Sequence, residues 1–113
     1  MSNSFKNKKV DLTTTDLTTL YTVPTATTTV IKSILVSDDS GSGTTIDVTL
    51  VDSSSAIFNL FKSKSISGNA TTELLTQPLV MEDSEILKVQ SVYANRLHVV
   101  ASILEIQPRE VTT

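Results

Sequence analysis

The 113 residues include no cysteine and no tryptophan, and only three glycines, three prolines, two tyrosines and three phenylalanines. Without cysteine there is no disulfide, no thiolate metal site and no thiol redox chemistry. Any reinforcement of so small a domain is therefore expected to come from association with neighbours. The few glycines form no glycine-rich phosphate loop and no dinucleotide fingerprint. The shortage of aromatic rings argues against a sugar-binding platform, which works by stacking. A single histidine, His98, restricts acid–base and nucleophilic catalysis to what one imidazole can serve. No apolar run approaches the ~20 residues of a membrane helix. The polar opening from Met1 to Lys9 lacks the apolar core of a secretory signal, so a soluble chain made in a cytoplasm is expected.

What the chain has in abundance is hydroxyl. Eighteen threonines and fifteen serines make up over a quarter of it. Such a composition can signal disorder, but 39 % of the residues are hydrophobic and the formal net charge is only −3, which favours a folded domain. Thr, Val and Ile are branched at Cβ and suit a pleated, half-buried surface. The mild acidity opposes generic nucleic-acid binding, which needs a basic face.

Apolar residues alternate with polar ones through most of the sequence, and turn residues interrupt the pattern every eight to twelve positions. Strands are predicted over 17–23, 28–37, 44–51, 56–64, 71–76, 79–81, 86–92 and 96–106. Pro24 closes the first because it cannot donate to a ladder. Asp38-Asp39-Ser40-Gly41-Ser42-Gly43 is a turn cluster, and the strands on either side of it are expected to form a hairpin. In 44–51 the residues Ile46, Val48 and Leu50 share one face; in 96–106 Leu97, Val99, Ala101 and Ile103 do. No segment carries a helical period. Seven or eight short strands at this spacing predict an antiparallel β-sandwich, jelly-roll-like, with an immunoglobulin-like sandwich as runner-up. The expected organisation is an N-terminal arm over 1–15, the sandwich over 16–107 and a C-terminal tail from Pro108.

Two strands look apolar on both faces. Val30, Ile34 and Val36 oppose Ile31 and Leu35, and Phe58 and Leu60 oppose Ile57 and Phe61. Only one face of each can enter the core, so the other is expected to meet a partner. Val30, Ile34, Val36, Phe58 and Tyr93 are accordingly the candidate contact residues, together with the basic cluster Lys6, Lys8 and Lys9.

Signs of chemistry are sparse. His98 shares a predicted strand face with Ser102, but four residues of strand separate them by about 13 Å. No nucleophile elbow accompanies either one. The acidic groups Asp38-Asp39 and Glu82-Asp83 with Glu85 fall in turns, where Asp is favoured for backbone reasons, and lack the alternation of a calcium loop. Tyr21 and Tyr93 are the sole candidates for stacking on a sugar. Asn69-Ala70-Thr71 matches the glycosylation acceptor pattern, which without a secretory route is coincidence. The expectation is a protein that is not an enzyme and needs no cofactor or metal.

Three stretches resemble a known group of proteins. They are Leu20-Tyr21-Thr22-Val23-Pro24 with Thr29-Val30-Ile31-Lys32-Ser33-Ile34, then Thr72-Glu73-Leu74-Leu75 with Pro78-Leu79-Val80, then Ile86-Leu87-Lys88-Val89-Gln90 running to Asn95-Arg96-Leu97. In this order they resemble small virion structural proteins of tailed bacteriophages, particularly those of marine cyanobacteria. The resemblance implies a β-sandwich present in many symmetric copies on the capsid, neck or tail. Its partners would be the major capsid protein or other virion proteins and further copies of itself, with no membrane and no sequence-specific nucleic-acid contact. It carries no functional residues over, because the shared pattern is one of strands and turns.

Overall fold

The computed structural model describes residues 2–107, so the tail expected from Pro108 lies outside it. Nine strands form among the described residues: β1 (Ser2–Asp11), β2 (Thr18–Thr22), β3 (Thr28–Asp38), β4 (Thr44–Val51), β5 (Ile57–Ile66), β6 (Thr71–Glu73), β7 (Leu79–Met81), β8 (Ile86–Ser91) and β9 (Leu97–Gln107). Among the described residues there is no helix. All pairings are antiparallel. One sheet runs β1-β9-β3, with β6 and β7 side by side along the far edge of β3; the other runs β2-β8-β4-β5. With β6 and β7 taken as one interrupted strand, the orders 1-8-3-6 and 2-7-4-5 describe an eight-stranded jelly roll.

The core lies between the sheets. Ile31, Ile34 and Val36 of β3 and Leu97, Val99, Ala101 and Ile103 of β9 face Ile46, Val48 and Leu50 of β4 and Leu87 and Val89 of β8. Period-two alternation holds along β8 and β9, and in β4 Ile46, Val48 and Leu50 share the core face although Thr49 is buried as well.

Three features depart from the sequence expectation. The hairpin expected around Asp38–Gly43 does not form, since β3 and β4 belong to different sheets and the turn crosses between them. Each strand finds a better partner elsewhere, β3 in β9 and β4 in β5 and β8. The hairpin that does form joins β4 to β5 through Asp52–Ala56, where Asp52 Oδ1 accepts from the amides of Ser54 and Ala56 at 2.9 Å.

Secondly, β1 pairs along its whole length with β9, Ser2 opposite Gln107 through Asp11 opposite His98. The segment expected as a free arm is an edge strand over most of its length. Its charged residues disguise it, because an edge strand buries little and lysines there discourage strand-on-strand aggregation.

Thirdly, β3 changes phase. Between Ile31, opposite Ile103, and Ile34, opposite Ala101, it carries one more residue than β9. Thr29 and Ile31 point inward before this bulge and Ile34, Val36 and Asp38 after it. The bulge leaves an amide without a ladder partner, and the Glu73 carboxylate of neighbouring β6 takes it: Oε2 accepts from Ile34 N at 2.8 Å and Oε1 from the Ser33 hydroxyl. The β4–β5 ladder repeats the device. Ser63 adopts φ 52° where β5 carries an extra residue, and Asp47 Oδ1 accepts its amide at 2.6 Å.

At one end of the sandwich the chain approaches itself closely. A Cβ on Gly68, in the β5–β6 turn, would lie 2.4 Å from the carbonyl oxygen of Gly41 in the β3–β4 turn. Only glycine allows these two backbones to meet.

Candidate interaction surfaces

Strand alternation divides the basic cluster between two faces. Lys6 and Lys8 point toward the second sheet, whereas Lys9 points outward with Asn7, whose Oδ1 accepts from Lys9 Nζ at 3.3 Å. Lys6 Nζ sits 2.8 Å from Glu105 Oε1, an acid at the inward face of β9 whose side chain is only 4 % exposed. The Tyr21 hydroxyl donates to Glu105 Oε2 at 2.6 Å and lies 2.7 Å from Thr29 Oγ1, while Lys8 Nζ stands 5.8 Å from the centre of the Tyr21 ring. A lysine, a carboxylate, a phenol and a threonine thus close one end of the core as a satisfied polar network. Lys6 and Lys8 hold β1 to the rest of this chain instead of forming a free basic patch.

This network titrates. The Lys6 ammonium, and then the Tyr21 hydroxyl, hold the Glu105 carboxyl below the usual range, while burial and Glu105 itself push the Tyr21 hydroxyl up. Burial acts to raise the Glu73 carboxyl, but the Ser33 hydroxyl and the amides of Ile34, Leu75 and Leu74 outweigh it and lower the value. A carboxyl whose folded value lies below its unfolded one, about 4.3 for Glu, stabilises the fold fully above the unfolded value and loses that contribution as pH falls toward the folded one. The melting temperature is therefore expected to fall once pH drops below about 4. In Glu105→Gln the melting temperature at pH 7 should be lower and the acid slope shallower. Circular-dichroism melts from pH 3 to 7 would check this, and an unchanged slope in the variant would remove Glu105 from the account.

The remaining candidates divide by exposure. Ile34 and Val36 lie in the core with no exposed surface, a correction that follows from the β3 bulge. Val30 is half-buried on the outer face, while Phe58 and Tyr93 are about half exposed, at 52 % each. Of the two candidate sugar stackers, Tyr21 is buried, and the Arg96 guanidinium lies 4.1 Å from the centre of the Tyr93 ring. His98 directs Nε2 toward Asp11 Oδ1 at 3.3 Å and Nδ1 toward Asp39 Oδ2 at 3.8 Å, so its two nitrogens face opposite carboxylates. Among the described residues no group of three His, Cys, Asp or Glu side chains is placed to hold a metal ion. Glu85 Oε1 accepts from Glu82 N at 2.8 Å and Asp83 Oδ2 from Ala26 N at 2.7 Å, the backbone roles expected of acids in turns.

The outer face of the five-stranded sheet escaped the sequence reading. Its pairings place Phe5, Leu104, Val30 and Val80 side by side in one row across four strands. Two rows further along lie Lys9, Val100, Leu35 and Glu73. Phe5 is 73 % exposed, Val80 58 % and Leu35 39 %. The signal was present in the alternation of β9, whose outward residues Val100, Leu104 and Ile106 are apolar too, but assembling the row requires the strand register.

No family model matches the chain, and no curated protein matches its sequence. Solved structures do match in shape. A chain from the acidic stable capsid structure of Helicobacter pylori bacteriophage KHP30 superposes with a TM-score of 0.56 over 96 % of this chain and 95 % of that one, at 9 % identity. A chain of the virus-like particle of Macrobrachium rosenbergii extra small virus gives 0.47 over 97 % and 82 %, at 14 % identity. At such identities the likeness is one of fold: this jelly roll has the same extent, end to end, as a chain found in a phage capsid.

Proposed function

We propose that this protein is a non-enzymatic structural subunit of a tailed-bacteriophage particle, seated as a decoration on the assembled major capsid lattice. The observation that carries the reading is the end-to-end likeness to a chain in a phage capsid structure, with almost nothing left over on either side. The stretches resembling tailed-phage virion proteins, spread between Leu20 and Leu97, support it from the sequence. The composition fits as well, because a cysteine-free domain of 113 residues has a modest core and gains stability by assembling.

The mechanism is mass action. A subunit that binds the closed shell and not its dispersed parts stabilises the shell by the free energy of that binding. Copy number tests the placement. Quantitative mass spectrometry of purified particles is expected to find about one copy per one to a few capsid subunits. Roughly a dozen copies per particle would move the protein to the neck or tail, as a ring or connector subunit. Its absence from particles would overturn the virion reading.

A further inference from the structure

We infer that the outer face of the five-stranded sheet is where two copies of this chain meet, related by a two-fold axis lying in the interface parallel to the strands, between β9 and β3. The inference rests on the reading of the protein as an assembling subunit and names the surface used.

The argument starts from the rows across the sheet. A two-fold axis along the strands returns each row to itself with its ends exchanged. In the row Phe5, Leu104, Val30, Val80, that operation lays Phe5 on the partner's Val80 and Leu104 on the partner's Val30, so an apolar strip covers itself. In the row Lys9, Val100, Leu35, Glu73, it lays Val100 on the partner's Leu35 and brings Lys9 opposite the partner's Glu73 at both rims. Between these rows lie Asn7, Ser102 and Ser33. The end row places His98 over the partner's Ser37 and Asp11 over the partner's Thr71, opposing no like charges. Lys32, on the β3 bulge, reaches across β9 to bring its ammonium 5.7 Å from its own Phe5 ring, a cation–π contact on the same face.

Charge complementarity selects this operator over its alternative. An axis across the strands would lay Phe5 on Lys9 and Val80 on Glu73, setting an apolar side chain against a charged residue at each end of the row. The size is adequate. Four strands about 4.8 Å apart, over nine residues rising about 3.3 Å each, give a flat footprint of roughly 600 Å² per copy, near the ~800 Å² per partner of a standard interface. Two twisted sheets stack in this way at about −30°, the ordinary angle of aligned sandwiches.

The absence of native cysteine makes the test clean. Phe5 and Val80 stand at opposite ends of one row, three strand spacings or about 14 Å apart, beyond the reach of a disulfide within one chain. Under mild oxidation the double variant Phe5→Cys/Val80→Cys is expected to run as a covalent dimer on a non-reducing gel, while each single variant runs as a monomer. Linkage of either single variant would mean a different operator, and no linkage in the double variant would overturn the interface. In sedimentation, Phe5→Asp should weaken self-association by about tenfold or more. Lys9→Glu, which sets one carboxylate against the partner's Glu73 at each rim, should weaken it severalfold and more so at low salt. Both residues are exposed, so unchanged melting curves would separate lost association from lost folding. Co-sedimentation of the same proteins with capsids keeps the two proposals apart. A double variant that pellets with capsids but never links retains the decoration reading and overturns the interface. One that links but never pellets does the reverse.

Discussion

A chain lacking residues 1–9 is expected to aggregate or to melt far below the full-length protein, because those residues complete a sheet. The truncation removes eight of the ten positions at which β1 pairs with β9. At a net ~0.5–1.5 kcal/mol per ladder hydrogen bond, the loss reaches several kcal/mol, a large share of the ~5–15 kcal/mol that holds a small domain folded. It also removes Lys6 and leaves the buried Glu105 carboxylate with only the Tyr21 hydroxyl for company. The newly bare edge would be β9, eleven residues carrying Val99, Val100, Ala101, Ile103, Leu104 and Ile106, which is the long apolar edge that folded proteins avoid exposing. Size-exclusion chromatography and thermal melts would decide the matter. A truncated chain that stays monomeric and melts normally would restore the segment to the status of an arm.

The second large effect separates two neighbours on β3. Ile34→Ala is expected to cost ~2–5 kcal/mol, since it opens a cavity under a side chain with no exposed surface. Leu35→Ala, one residue on, removes a side chain that is 39 % exposed and should cost less than about 1 kcal/mol in the dispersed chain. Ile31→Ala should resemble Ile34→Ala although the two stand three positions apart, an odd interval that an unbroken strand would place on opposite faces. Urea titrations of the three variants would show it. If Ile31 and Leu35 behaved alike and Ile34 differed, the bulge between Ile31 and Ser33 would be wrong.

That bulge marks where the sequence stops being legible. Alternation alone placed the inward faces of β4 and β9 correctly, because Ile46, Val48 and Leu50, like Leu97, Val99, Ala101 and Ile103, recur at every second residue with no bulge on their own strand. The same rule applied to β3 put Val30 with Ile34 and Val36, since an inserted residue leaves no local trace. Its signature is distant, in the carboxylate of Glu73 waiting to accept the stranded amide of Ile34. β1 was illegible for another reason. An edge strand that buries little needs no apolar alternation, and Lys6, Lys8 and Lys9 read as a basic contact cluster on an arm. The turn at Asp38–Gly43 was legible as a turn but not as a crossing between sheets, because partner choice is settled by strands far away in sequence. The contact surface suffered most. Val30 and Phe58 do lie near the surface, but the row through Phe5, Leu104 and Val80 combines residues from four strands that no window along the chain can see together.

The meeting of Gly41 and Gly68 bears on how this protein can vary. Two turns in backbone contact behave as one part, so an inserted residue or a bulkier side chain in either must be matched by a change in the other. Sequence drift at that tip should therefore be slow and paired. At the opposite end, the β4–β5 turn is closed by its own first residue, Asp52, and Ser53 and Ser54 face solvent. A foreign peptide grafted between those serines would load no second turn, which makes this loop the natural attachment point for a label or a displayed epitope.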